Sequence, residues 1–552
     1  MRYLTIILSS CIFILSSCSK DSNPDNPVTA FNYVSADING KPGVGTVADI
    51  AINPVIKINF SAPVDRSSVA GKLTLTEYGF SGQPVNYSYT NNDSTVVISP
   101  VSPLKNITRY IIFLSPDLES TSHAKLNTPI NLLFSTSIDS TDKFPQITDA
   151  ELLTLVQQQT FKYFWDFGHP VSGMARERNN SGDLVTTGGT GFGIMAIPVA
   201  ISRNFITRAE GLTRTLLIVN FLKNNCTKYH GAFSHWINGA TGATMPFSTN
   251  DNGADLVETS YLMEGLLVAR QYFNTADPSE TDLRTKINEL WDAVEWNWFR
   301  KSNENVLYWH WSPNLAFIIN AQIKGWNEAL ITYILGSSSR TDSIPKPVYD
   351  NGWASNGGIR NNNTYYGYVL PLGPSNGGPL FFEHYSFMGI NPTGLADAYA
   401  NYQAQTTNHT KINYEYCKAN PQHYYGYSAQ CWGLTASDAP DNNYHASEPN
   451  SDIGVIAPTA ALSSFAYTPT ESMAALKFFY YKLGDKLWGQ YGFYDAFSLK
   501  DAWFANSTLA IDQGPIITMI ENYRSGLIWN LFTSAPEVKN GMRRLGFTAP
   551  YL

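Results

Sequence analysis

From about residue 31 to 138, hydrophobic and polar positions alternate in short runs such as PVIKINFSAPVD, KLTLTEYGF, STVVISPVSPL and RYIIFLSPDL, separated by Gly, Pro, Asn and Ser. A period of two with regular turn residues predicts half-buried strands and a small β-sandwich. After DSTDKFPQ the period lengthens to that of a helix and stays so to residue 552. Thr148-Asp149-Ala150-Glu151 reads as a capping box, with Ile147 and Leu152 spaced for a hydrophobic staple. Asp277-Pro278-Ser279-Glu280 sets a cap, a first-turn proline and an acid ahead of the stripe Leu283, Ile287, Leu290 and Val294. Thr468-Pro469-Thr470-Glu471 repeats that device, which assigns Glu471 to capping. Helices from 148 to 552, joined by long loops rich in Gly, Asn and aromatic residues, predict one toroidal α/α barrel with a cleft built by its loops. No short repeat of the solenoid kind is present.

One helix breaks the pattern. DLVETSYLMEGLLVAR, residues 255 to 270, is apolar yet carries Asp255, Glu258 and Glu264. At roughly 100° per residue, Asp255 and Glu258 share a face with Tyr261 and Leu262. A carboxylate among apolar groups costs several kcal/mol unless it is paired or its pKa rises. Such a pair is a candidate for acid chemistry, with Glu264, about 120° from Glu258, as a structural or solvent-facing charge.

Composition narrows the function. The chain is 43% hydrophobic and 13% aromatic, enough for two domains with a large core. Its net charge of -8 comes with no basic run, which argues against nucleic acid as a partner. At the start, Arg2, an apolar stretch from Tyr3 to Leu15 and small residues before Cys18 describe a secretion signal, too short to span a bilayer. Leu15-Ser16-Ser17-Cys18 resembles a bacterial lipobox, with Cys18 as the lipidated first residue of the mature chain. The reading is therefore a signal over 1–18, a polar tether over 19–30, and an exported lipoprotein at the outer membrane, cell surface or periplasm. Of the remaining cysteines, Cys226, Cys417 and Cys431, one pair at most can bridge; Cys417 with Cys431, or three buried free thiols, are the alternatives. No Cys/His cluster has zinc spacing, and no cofactor or metal is implied.

Two motif matches lack their context. GPSNG, 373–377, fits G-x-S-x-G, but Gly378 and Pro379 follow where a nucleophile elbow needs a helix. GGTGFG from Gly188 lacks a βαβ setting, so close backbone packing or tight passage near a ligand is the better reading. The acids are more telling: Glu177 and Asp183 near Arg176 and Arg178, Glu328 after Trp326, Glu383 before His384 and Tyr385, and Asp438 after Trp432. Each alone would be a solvated or ion-paired carboxylate, but they recur beside aromatics in loops and helix ends. Sugars need aromatic platforms with hydrogen-bonding groups, and glycoside hydrolysis needs a proton donor and a carboxylate base or nucleophile.

The segments GDLVTTGGTGFGIMAIPVA, DLVETSYLMEGLL, YWHWSPN, GWNEAL, GGPLFFEHYSFMGINP, WGLTASDAPD, YGFYDAFSL and AIDQGPIITMIENYRSGL resemble the bacterial glycoamylase-like domain, including glycoside hydrolase family 144, over nearly all of 149–552. INFSAPVD and the strands after it resemble the bacterial Ig-like domains that precede exported enzymes, here with the role of a spacer. The resemblance implies an (α/α)6 barrel preceded by an Ig-like sandwich, and inverting hydrolysis of β-1,2-glucan to short products such as sophorose. Inversion separates the two carboxyl groups by about 6.5 to 9.5 Å. On this reading Glu258 is the general acid, Asp438 the base, directly or through a substrate hydroxyl, and Asp183 its rival, with Asp255 tuning Glu258. Arg178, His310, Trp311, Trp326, Glu328, His384, Tyr385, Trp432 and Tyr494 are the candidate sugar contacts. Trp165, Trp291 and Trp298 lie on helical stripes and are expected in the packing. A catalytically silent glycan-binding lipoprotein, or a hydrolase of another glucan, is the alternative.

Overall fold

The computed structural model describes residues 30–80 and 82–552; the signal, the lipobox Cys18 and most of the tether lie outside the described residues. The chain divides into two compact units between Ser137 and Ile138.

In the first unit, strands β1 (Tyr33–Ile38), β2 (Lys41–Pro42), β3 (Thr46–Ile50), β4 (Ile56–Phe60), β5 (Leu73–Glu77), β6 (Gly82–Gln83), β7 (Val85–Thr90), β8 (Thr95–Pro100), β9 (Arg109–Leu114) and β10 (Ile130–Thr136) form two sheets. Their orders are β2-β1-β4-β8-β7 and β3-β10-β9-β5-β6. The alternation read from the sequence is the inward face: Tyr110, Ile112 and Leu114 of β9 are buried and join Ile38, Ile58 and Ile98 of the other sheet in one core. Every sheet neighbour is antiparallel except β3 with β10.

The second unit is helical. Helices α1 (Asp149–Trp165), α2 (Thr187–Ser202), α3 (Arg208–Asn224), α4 (Leu256–Tyr272), α5 (Pro278–Asp292), α6 (Leu330–Ser338), α7 (Tyr402–Ala419), α8 (Pro458–Leu462), α9 (Pro469–Lys477), α10 (Ala510–Ser525), α11 (Leu527–Ser534) and α12 (Pro536–Leu545) carry it, with short hairpins between them. Two kinds of helix are present. α2, α4 and α10 are buried on all sides, whereas α1, α5 and α12 bury one face.

The glycines of GGTGFG explain how the inner helices meet. A methyl group at Gly191 would stand 2.2 Å from the Tyr261 carbonyl oxygen, and one at Gly265 2.2 Å from that of Gly191. α2 and α4 thus touch backbone to backbone, and Gly514 of α10 admits the Phe192 ring in the same way.

Local signals formed unevenly. Thr148 and Glu151 make the reciprocal box, with hydrogen bonds of 2.9 and 3.3 Å, while Ile147 remains 37% exposed. Asp277 caps α5 through Ser279 N and Glu280 N. Thr468 makes no side-chain cap; its hydroxyl turns back to Ser464 and Ser472, and Glu471 pairs with Lys411 instead. Glu471 is structural, through an ion pair and not through capping. Cys226, Cys417 and Cys431 are all free and buried, so the bridge from Cys417 to Cys431 is not formed.

Candidate active site

Glu258 stands in the first turn of α4, where the Asp255 cap accepts Val257 N and Glu258 N at 3.0 and 2.9 Å. Its Oε2 accepts the Gly188 N–H at 2.6 Å and the Thr186 hydroxyl at 3.2 Å. Burial raises its pKa, with the Asp255 charge adding to the rise and His235 opposing it. The second oxygen of Asp255 meets His235 Nδ1 at 3.1 Å and lies 3.6 Å from His310 Nε2, which is also 3.5 Å from Asp251. Although burial opposes ionisation, the bonds and charges of His235 and His310 hold Asp255 below its ordinary value. For His235 burial likewise opposes the charge, but Glu258, Asp255 and Asp251 carry it up to about 9. His235, Asp251 and Asp255 are close enough to hold a cation together. The imidazolium of His235 already supplies the positive charge there.

Glu328 completes this side. Its carbonyl accepts the Tyr261 hydroxyl at 3.4 Å and the Ser386 hydroxyl, which fixes the residue between α4 and the 384–386 segment. Burial pushes its carboxyl up to about 7, and the charges of Asp255 and Glu258 act in the same direction. It nevertheless keeps partial solvent access, unlike Glu258, which is 5% exposed.

A second group of acids surrounds Arg178. Its guanidinium donates to Glu177 at 2.9 Å and to Asp438 at 3.2 Å. Burial works against the charge, but Glu177 and then Asp438 raise the Arg178 pKa above its ordinary value. Asp438 ends a short strand, Ala436–Asp438, and also accepts the Ser507 hydroxyl at 2.5 Å, while its own N–H donates to Asp495 at 2.7 Å. Behind it lie two fully buried acids: burial raises Asp495 to about 7 and Asp512 well above its ordinary value. Tyr385 joins the two groups, since Asp512 on one side and Glu328 and Glu258 on the other all raise its hydroxyl pKa, after burial. Gly189, next to the Gly188 donor of Glu258, packs on Ala510, whose N–H donates to the Glu177 carbonyl beside Arg178, so Glu258 and Asp438, far apart in sequence, lie in one region.

The structure corrects several expected contacts. Trp326 is 6% exposed and donates its indole N–H to Glu383 at 3.2 Å among Trp353, Phe387 and Tyr402, so it is core. Trp432 is fully buried, with its N–H on the Glu471 carbonyl and Tyr414 edge-on to its ring, so it is core. His384 is 1% exposed, bonded to Ser464, and burial lowers it to about 3, which makes it a neutral core histidine. Tyr494 packs on Gly489 of the Trp488–Phe493 hairpin while Asp495 points the other way, as alternation in extended chain requires. Asp183, 64% exposed, pairs with His169 at 3.2 Å and touches neither acid group. Tyr385 is 5% exposed, whereas His310 and Trp311 are half-buried in the short strand that pairs with Ala254–Asp255. Of the tryptophans placed in the packing, Trp291 is fully buried and Trp165 partly so, but Trp298 is 44% exposed.

Asp251, His235, Ser507, Asp495 and Asp512 escaped the sequence reading. Asp251 stands one turn before Asp255, and Asp495 and Asp512 fall inside segments that carried the family resemblance, which was the available signal.

Comparison with known proteins places this arrangement. The Glycoamylase family model, named for glucoamylases, matches residues 320–536, and a bacterial Ig-like domain model matches 40–149. An endo-β-1,2-glucanase from Chitinophaga pinensis, solved with sophorotriose and glucose, superposes with a TM-score of 0.72 at 48% identity, covering 74% of this chain and 100% of that one. This chain belongs to the glycoamylase-like family, glycoside hydrolase family 144. Two further family members are similar. A β-1,2-glucanase from Parabacteroides distasonis gives a TM-score of 0.71 at 38% identity over 94% of this chain and 73% of its own. An exo β-1,2-glucooligosaccharide sophorohydrolase acting at the non-reducing end, from the same species, is 47% identical over 421 residues, 72% of this chain; the match spans 58% of that relative's length.

Proposed function

We propose that this family 144 member hydrolyses β-1,2-glucan or its oligosaccharides with inversion and releases short products such as sophorose. The observation that carries the reading is Glu328, a half-buried residue whose carboxyl is pushed up to about 7, in a helical domain that also holds Asp438 on the Arg178 guanidinium. The names of the similar proteins supply the linkage.

An inverting hydrolase needs a protonated acid within reach of the glycosidic oxygen. Glu258, the acid expected from sequence, spends one oxygen on Gly188 and Thr186 and is almost closed to solvent. Glu328, with a pKa of about 7 and partial exposure, meets both requirements. We assign it the proton donor and give Glu258 and Asp255 the task of raising its pKa. Asp438 is assigned the base. Glu328 gives its proton to the leaving oxygen as the bond to the anomeric carbon breaks. Water attacks that carbon from the opposite face, and Asp438 takes the proton that the water loses. Asp183 loses its rival claim because it is a surface acid.

The fully buried helices α2, α4 and α10 and the one-faced helices α1, α5 and α12 suit the inner and outer rings of an (α/α)6 toroid, which is the architecture we assign. Export and anchoring through lipid on Cys18, with the sandwich as spacer, complete the reading. Incubation with linear β-1,2-glucan, cyclic β-1,2-glucan and starch, followed by product sizing, tests it. Disaccharide from the linear substrate supports the reading, and cleavage of the cyclic one adds endo action. Cleavage of starch alone defeats it.

A further inference from the structure

Trp298 lies in the 3-10 turn Trp296–Arg300. Its neighbours Trp296 and Phe299 are buried, but its own indole is exposed. A single exposed apolar residue needs no explanation; what surrounds this one does. His230 covers one part of the ring system, with centroids 3.9 Å apart and planes 15° from parallel. His230 is itself held: its Nδ1 meets Glu295 at 2.9 Å and its carbonyl accepts the Glu295 N–H at 3.0 Å. Gly231, at φ 76°, closes this turn so tightly that a methyl group there would stand 1.9 Å from the Ala293 carbonyl oxygen. The indole is therefore mounted on a rigid support before any ligand arrives, which lowers the entropic cost of binding.

Two depressions flank Trp298. One, about 660 Å³, has Glu295, Asn297, Asn303 and Asp342 among its walls. The other, about 540 Å³, is apolar, with Leu315, Phe317 and Ile318. The support also connects to the candidate site: His230 meets Trp311 edge-on at 4.9 Å, and Trp311 pairs with Ala254 in the hairpin that pairs His310 with Asp255. Contacts of 3.9 and 4.9 Å through one imidazole keep the two indoles within a span that a disaccharide can bridge.

We infer that Trp298 is an outlying sugar platform that stacks a glucosyl unit of the β-glucan chain held at its other end by the acid site. The inference rests on the proposed glucan substrate. An indole face takes the axial C–H face of a pyranose, and acceptors such as Glu295 and Asp342 in the first depression take the equatorial hydroxyls. The expected class of ligand is a neutral β-linked gluco-oligosaccharide long enough to reach beyond Trp311.

Affinity electrophoresis through gels containing linear β-1,2-glucan reads this binding without needing turnover. The wild-type full chain should be retarded, Trp298→Ala should bind about tenfold more weakly, and Trp298→Phe should fall between them. On oligosaccharide ladders the Trp298→Ala defect should appear as a raised KM that grows with chain length. Equal retardation of all three proteins, in a wild type that cleaves β-1,2-glucan, overturns the inference alone. A wild type that neither cleaves nor binds that glucan removes the substrate reading and this inference together. A KM defect that is the same at every chain length also contradicts it, because a damaged fold and not a distal platform would act that way.

Discussion

Gly188 donates its N–H to Glu258 Oε2 at 2.6 Å, and a methyl group built on Gly188 would stand 2.7 Å from that same oxygen. The bond exists only because the residue has no side chain. Gly188→Ala should push the carboxylate off its donor and cost about 1–3 kcal/mol by overpacking. Thermal unfolding reads the loss, and kcat/KM should fall with it because Glu258 tunes Glu328.

Burial, and after it the charges of Asp255 and Glu258, raises Glu328 to about 7. If Glu328 is the proton donor, kcat/KM should fall on the alkaline side with an apparent pKa near that value. Glu258→Gln removes a negative neighbour, so the alkaline limb should move to lower pH while activity persists. An unmoved limb in that variant would detach Glu258 from the acid. The pH profile of kcat/KM for both proteins decides this.

The half-buried His235 gives a stability test with a definite sign. His235 titrates at about 9 in the folded chain against 6.5 for an ordinary imidazole. Below 6.5 both folded and unfolded chains hold the proton and its stabilisation is complete. As pH rises toward 9 the unfolded chain loses its proton first, and the contribution fades until it is gone. Wild type should therefore lose more stability between pH 6.5 and 9 than His235→Asn, as followed by urea denaturation at each pH.

Glu383 accepts Trp326 Nε1, Gln405 Nε2 and His409 Nδ1 on a single oxygen, all inside the core. Glu383→Leu leaves three buried donors without an acceptor and should cost about 3–5 kcal/mol. Trp326→Phe and Trp432→Phe should lower Tm while leaving KM near wild type, since neither indole reaches the cleft.

Much of the fold was legible because its signals are local. The alternation of β9, the Thr148–Glu151 box and the Asp277 cap each depend on residues within one turn or one strand. Glycine spacing pointed to close packing at GGTGFG, though only the structure shows that Gly191 and Gly265 answer each other across α2 and α4. The site was legible in part. Glu258 and Asp255 stood out because an apolar helix should not carry them. Asp438 gave no such signal in its loop, and Asp495 and Asp512 act on it only through long-range contacts. The tryptophans show the limit most clearly. Trp326 and Trp432 sit in aromatic loop text yet are buried, while Trp298 sits between two buried aromatics yet faces solvent. Side-chain direction in irregular segments depends on the whole fold and leaves no period to read.

Arg178 bridges Glu177 and Asp438. Arg178→Ala should lower kcat by about 10²-fold, by releasing the base and leaving two acids unpaired. Arg178→Lys, a single-point cation, should restore part of the rate but not the paired geometry. Steady-state kinetics on linear β-1,2-glucan separates the two variants.

The most direct test is reducing-end release from linear β-1,2-glucan by the wild-type chain beside Glu328→Gln. The account predicts ready cleavage by wild type and a fall of about 10²–10⁴-fold in kcat for the variant, with the fold intact. Cleavage by Glu328→Gln at the wild-type rate would contradict the assignment of the proton donor, and no cleavage by either protein would contradict the substrate.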